Sequence, residues 1–78
     1  MQSVEVFSRG VLMKLKNRIK AICAEKEVKL WIVADHINMN PTSFSKLVNG
    51  RRPPSGLEVF MIARFLELPV EEVFYLEE

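Results

Sequence analysis

Residues 30–49, Leu-Trp-Ile-Val-Ala-Asp-His-Ile-Asn-Met-Asn-Pro-Thr-Ser-Phe-Ser-Lys-Leu-Val-Asn, constrain the fold more than any other stretch of the chain. Apolar residues recur at helical spacing on both sides of a break at Asn38-Met39-Asn40. Asn is one of the few non-glycine residues that tolerate a left-handed backbone, so Asn38 can close the first segment. Asn40 can cap free N–H groups, and Pro41 stands at the first helical position, where its missing N–H costs nothing. Two short helices joined by a tight turn are predicted. Val33, Ala34 and Ile37 face inward from the first, and Phe44, Leu47 and Val48 from the second.

The chain is 78 residues long, which bounds it to one domain. A domain of this size buries only about 60% of its unfolded surface, so the apolar content of 49% is needed to build a core. One Cys (Cys23) and one His (His36) exclude an internal disulfide and a metal cluster. No metal or other cofactor is expected, and the setting expected is reducing and cytoplasmic. No apolar run approaches the ~20 residues of a membrane span, and no basic region followed by an apolar stretch marks a signal peptide. Charge is divided along the chain: residues 1–52 hold ten Lys/Arg and four Asp/Glu, whereas residues 53–78 hold one Arg and six Glu. That asymmetry suggests a basic working face and an acidic far end, against the simpler reading of ordinary solvated helix charge.

Residues 3–8 (Ser-Val-Glu-Val-Phe-Ser) are partly alternating and β-branched, consistent with a short strand, with disorder, or with a leader upstream of Met13. Residues 1–12 are therefore set apart as an extension, and 13–78 as the domain. From Leu12 the period turns helical, with Leu15, Ile19 and Ile22 on one stripe beside Cys23, and a first helix is expected to run to Glu25 or Lys26. The second helix starts near Lys29 or Leu30, and Asn49-Gly50 ends the third. Arg51-Arg52-Pro53-Pro54 reads as an extended basic linker. Ser55 and Glu58 form a capping box that opens a fourth helix, whose core side is assigned to Val59, Phe60, Ile62, Ala63 and Leu66. Pro69, with Glu71 and Glu72 in the first turn, opens a short fifth helix. Val73, Phe74 and Leu76 are assigned to its buried end. Phe74-Tyr75-Leu76 also suits a terminal strand, with residues 4–7 as its partner. Met39, Met61 and the phenylalanines are assigned to the core, and His36 to an exposed helix face.

This order of elements resembles the Cro/phage-repressor (Xre-like) helix-turn-helix family over about Lys14 to Phe74. Lys-Asn-Arg-Ile-Lys is similar to that family's first helix, and Ala34 to the small residue it keeps where helices 2 and 3 nearly touch. Asn49-Gly50-Arg51-Arg52-Pro53-Pro54-Ser55 is similar to its Asn-Gly-Lys/Arg-x-x-Pro-Ser segment. Ile62-Ala63-Arg64 and Glu71-Glu72-Val73-Phe74 resemble its later helices. The resemblance implies an all-α, five-helix lambda-repressor-like domain that binds double-stranded DNA as a transcriptional regulator, with helix 3 in the major groove. Thr42, Ser43 and Lys46 would then reach base edges, with Ser45 beside them and Asn40 at the groove edge. Asn49, Arg51 and Arg52 would follow the sugar-phosphate backbone, and Lys29 would be a further phosphate contact. Two modules generally share an operator, so a homodimer is expected, through the C-terminal helix, the terminal strands or both.

Four departures from the family pattern involve five residues. Asn38 replaces the usual turn glycine and is physically compatible with it. Leu30 replaces a common Gln that anchors to phosphate or base. Pro41 occupies a position that in many members carries a base reader. Trp31 and Ile32 stand where the family is acidic and exposed. An apolar pair there reads either as a partner surface, together with Phe74 and Leu76, or as side chains packed on helix 1 or the N-terminal segment. A protein-interaction or antitoxin-like module with weak DNA readout is the rival class. No nucleophile–base pair, phosphate loop or carboxylate dyad is present in the sequence, so no enzyme and no small-molecule effector are expected.

Overall fold

The computed structural model describes residues 14–77. In chain order it contains strand β1 (Lys14–Asn17), helices α1 (Ile19–Lys26), α2 (Leu30–His36), α3 (Pro41–Val48), α4 (Gly56–Leu66) and α5 (Val70–Val73), and strand β2 (Phe74–Glu77). The architecture is all-α in class, with five helices and one antiparallel strand pair joining the two ends of the described chain.

The first helix starts later than the periodicity from Leu12 predicts. Lys14-Leu15-Lys16-Asn17 forms a strand, in register with Glu77, Leu76, Tyr75 and Phe74. With Leu15 as their one apolar residue, these four residues fit the start of either a strand or a helix, and only the partner strand decides between them. Asn17 then breaks the strand: its Oδ1 accepts the Ile19 N–H at 3.0 Å, while the Arg18 N–H donates to the Val73 carbonyl at 2.8 Å. The partner expected for the terminal strand, residues 4–7, lies outside the described residues, as does the whole 1–12 extension. β1 takes that place.

Four helices end alike. After α1, α2, α3 and α4, a residue at positive φ reverses the chain: Glu27 (57°), Asn38 (62°), Gly50 (75°) and Glu67 (59°). Each of these donates its N–H to a carbonyl three residues back, and the next residue donates to one five back, as in Glu27 to Ala24 (3.2 Å) and Val28 to Cys23 (2.8 Å). The same pairing recurs at Asn38/Met39, Gly50/Arg51 and Glu67/Leu68. These are Schellman closures, which satisfy helix-end carbonyls and turn the next residue back toward the helix. Val28, Met39 and Leu68 pack there against the core. Arg51, the counterpart after α3, is exposed instead.

The core unites Ile19, Ile22 and Cys23 of α1, Val33 and Ala34 of α2, Phe44, Leu47 and Val48 of α3, Ile62, Ala63 and Leu66 of α4, and Val73 with Phe74 at the C-terminal end. Ile37, just past α2, joins them as predicted. Truncating a fully buried member such as Leu47 to Ala would cost about 2–5 kcal/mol. Three assignments made from periodicity alone are corrected. Phe60, given to the core, is 68% exposed, because the buried face of α4 runs through Ile62, Ala63 and Leu66. Leu15, given to a helix stripe, is 44% exposed on β1. Leu76, given to a buried end, is 60% exposed on β2, where it pairs with Leu15.

Candidate nucleic-acid interface

α3 is set by its two ends and one stripe. Asn40 caps it: its Oδ1 accepts the N–H groups of Thr42 at 2.7 Å and Ser43 at 3.3 Å, and Pro41 fills the first helical position. Phe44, Leu47 and Val48 anchor the inner stripe. Thr42, Ser45 and Lys46 therefore stand exposed on the outer face, with Ser43 half-buried between them. The cap leaves the Asn40 Oδ1 engaged and only its amide N–H₂ free to donate outward. At the other end, Asn49 Nδ2 donates to the Ser45 carbonyl (2.9 Å) and to Ser45 Oγ (3.3 Å), which fixes the Asn49 side chain along the helix.

Asn17 holds the whole helix from behind. Its Nδ2 donates to the carbonyls of Val48 at 3.2 Å and Leu47 at 3.4 Å, at the C-terminal end of the helix. One side chain therefore caps the start of α1 and the end of α3. Sequence reasoning missed it, because it placed Asn17 inside a helix.

The two arginines after α3 do different things. Arg52 donates from Nη2 to Glu58 Oε2 at 2.8 Å and from Nη1 to the Pro53 carbonyl at 3.0 Å. Its guanidinium is only partly exposed, and it ties the linker to the first turn of α4. Glu58 completes the predicted capping box: its Oε1 accepts the Ser55 N–H at 2.9 Å while Ser55 Oγ accepts the Glu58 N–H at 3.1 Å. The Arg52 hydrogen bond, with that of the Ser55 N–H behind it, outweighs partial burial and holds the Glu58 carboxyl below its ordinary pKa. Arg51, by contrast, is exposed.

A groove of about 400 Å³ runs between β1 and the loop after α3, lined by Lys14, Lys16, Arg51 and Arg52 among others. A second cleft of about 340 Å³ lies between α2 and α3, with Lys20, Trp31, Pro41 and Ser45 in its walls. Asn49 lines both. Among the described residues, no carboxylate lines either one. Lys14, Lys16 and Lys20 are thus additions to the residues chosen from sequence. The signal that would have found the first two is the pair of lysines flanking Leu15 just before the helix.

The remaining candidates separate. Lys29, just before α2, is exposed and lines neither groove. Trp31 (60%) and Ile32 (39%) are exposed rather than packed on α1, and the N-terminal segment, the other packing partner expected for them, lies outside the described residues. Phe74, grouped with them as an interface residue, is only 5% exposed and belongs to the core, since it pairs with Asn17 on the inner face of the strand pair. His36 is exposed and lies against Phe65, with ring centroids 4.6 Å apart. Among the described residues, no cluster of His, Cys, Asp and Glu is arranged to hold a metal ion, and no helix is long and apolar enough to cross a membrane.

No family model matches the chain, and no curated protein matches it. Among solved structures, it is similar to a Bacteroides fragilis protein that has been proposed to bind DNA. The TM-score is 0.71 at 21% identity, with 78% of this chain and 98% of that one covered. At that identity the likeness shows the fold alone, that of a small five-helix domain.

Proposed function

We propose that the chain is a double-stranded DNA-binding transcriptional regulator, acting as a repressor by occupying an operator, with α3 in the major groove. One observation carries this reading. The outer face of α3, with Thr42 and Lys46 exposed, adjoins a groove lined by Lys14, Lys16 and Arg51 and by no carboxylate among the described residues. A groove lined by basic side chains, with Glu77 paired to Lys16 at its rim, lies beside a polar helix face and has the positive electrostatics that suit a polyanionic duplex. Thr42, Ser43 and Lys46 are assigned to base edges, with Ser45 and Asn40 flanking them. Asn49, Arg51, Lys14 and Lys16 are assigned to the phosphate backbone, with Lys29 as an outlying phosphate contact. Arg52 contributes chiefly by bracing the loop that presents Arg51. The regulator acts as a homodimer through the exposed Leu15 and Leu76 of the strand pair, and it works within the cytoplasm.

Titration against random-sequence duplex at two salt concentrations tests the class. Binding that weakens steeply with salt is expected, and Arg51→Ala should lower the slope of log K against log salt by about 0.9. Absence of binding at low salt would sink the reading in favour of a protein-interaction module. Selection from a random duplex pool should then return an inverted repeat, since a symmetric dimer reads half-sites about one helical turn apart.

A further inference from the structure

Trp31 is an expensive residue to leave 60% exposed on so small a domain, and nothing in the core explains it. It forms one wall of the cleft between α2 and α3, opposite Pro41 and Ser45, with Lys20 and Asn49 also lining it. Pro41, Ser45 and Asn49 follow one another at intervals of four, so this wall is a single edge of α3, the helix assigned to the groove. Asn49 also lines the basic groove beside β1, so the cleft and that groove adjoin at this residue.

We infer that the Trp31 cleft seats the sugar-phosphate edge of the duplex, as a contact that Leu30 and Pro41 cannot supply by hydrogen bonding. This rests on the DNA-binding reading above. The deoxyribose edge is apolar enough to lie against the indole face and the Pro41 ring. The indole N–H is a donor suited to a phosphate oxygen, and Lys20 supplies the charge. A cleft lined by a lysine and by no carboxylate among the described residues favours an anionic occupant over an acid-rimmed partner. The contact reads no base, so it adds affinity equally to all sequences.

Trp31 is the chain's only tryptophan, so its fluorescence reports this site alone. Acrylamide quenching is measured on the full chain with and without duplex, while a labelled duplex reports binding by anisotropy. Duplex should protect Trp31 from acrylamide. Trp31→Ala should weaken binding to specific and random duplexes alike, by about tenfold, with the salt slope unchanged because no counterion is released. Lys20→Gln should lower that slope by about 0.9. Binding by anisotropy with Trp31 equally open to acrylamide would overturn the inference and leave the regulator reading standing. Absence of any anisotropy change at low salt would remove both. Protection that grows with protein concentration in the absence of DNA would assign Trp31 to contact between copies, and would also overturn it. Circular dichroism of Trp31→Ala checks that helix content is kept.

Discussion

Arg51 and Arg52 are adjacent and identical in type, yet they have different surroundings. Arg52 is held by Glu58 at 2.8 Å and by the Pro53 carbonyl, whereas Arg51 is exposed beside the basic groove. The pair predicts a split: Arg51→Ala should weaken DNA binding with stability unchanged, while Arg52→Ala should lower stability first. The pH dependence of the brace follows from the Glu58 carboxyl, whose pKa is depressed in the fold by the Arg52 hydrogen bond. A depressed acid contributes stability that is fully present above its unfolded pKa, ~4.3, and is lost as pH falls through the folded value. Urea midpoints of the wild type and Glu58→Gln should therefore differ by a constant amount from pH 7 to 5 and converge below pH ~4. A difference that persists unchanged to pH 2.5 would mean that the ion pair contributes nothing. That Arg51 and Arg52 form a basic loop was legible in the sequence. Which of them is free was not, because Glu58 approaches Arg52 only after the prolines have turned the chain.

At the scale of elements, the recurrent device is the left-handed helix stop. Asn38 and Gly50 are residue types suited to positive φ, and both stops were legible. Glu27 and Glu67 are not, and each adopts a strained backbone to make the same pair of hydrogen bonds. Replacing either by glycine removes a left-handed cost of roughly 1–2 kcal/mol and adds unfolded-chain entropy, for a net gain of about 0.5–1 kcal/mol. Gly50→Ala should lose a similar amount. A Cβ there meets no atom within 4 Å, so strain rather than a clash sets the cost. Thermal or urea unfolding of the three variants checks both signs, and a destabilised Glu27→Gly would sink the account. β1 illustrates the opposite case. Its four residues fit a strand and a helix equally, and pairing with β2 settles the choice only once the two ends of the domain meet.

At the scale of the whole molecule, the overall charge of +1 conceals the division that matters. The acidic C-terminal third and the basic remainder meet at the strand pair, where Lys16 and Glu77 lie 3.5 Å apart on the surface. The same strand pair leaves Leu15 and Leu76 opposite each other and exposed. An apolar pair on a short open sheet suits contact with a second copy. Sedimentation equilibrium should therefore give a dimer for the wild type and a monomer for Leu76→Glu, with helix content kept. The variant should also bind an inverted-repeat operator much more weakly than the wild type. A monomeric wild type at high micromolar concentration would exclude this surface.

Local chemistry decided much of this protein within the sequence itself. The Asn38 turn, the Asn40-Pro41 start, the Ser55/Glu58 capping box and the inward stripes of α2 and α3 depend on residues within one or two turns of each other, where spacing alone brings groups together. The tertiary structure decided what depends on distant segments meeting. Asn17 spans 30 residues to hold the end of α3, β1 becomes a strand because β2 reaches it, and Phe60 faces outward while Phe74 is buried. Apolar character marks a residue as able to be buried, but only the packing of several helices against one another determines which apolar faces find a partner. Trp31 and Leu76 are among the apolar side chains left exposed, and they are where this domain is expected to meet DNA and its own copy.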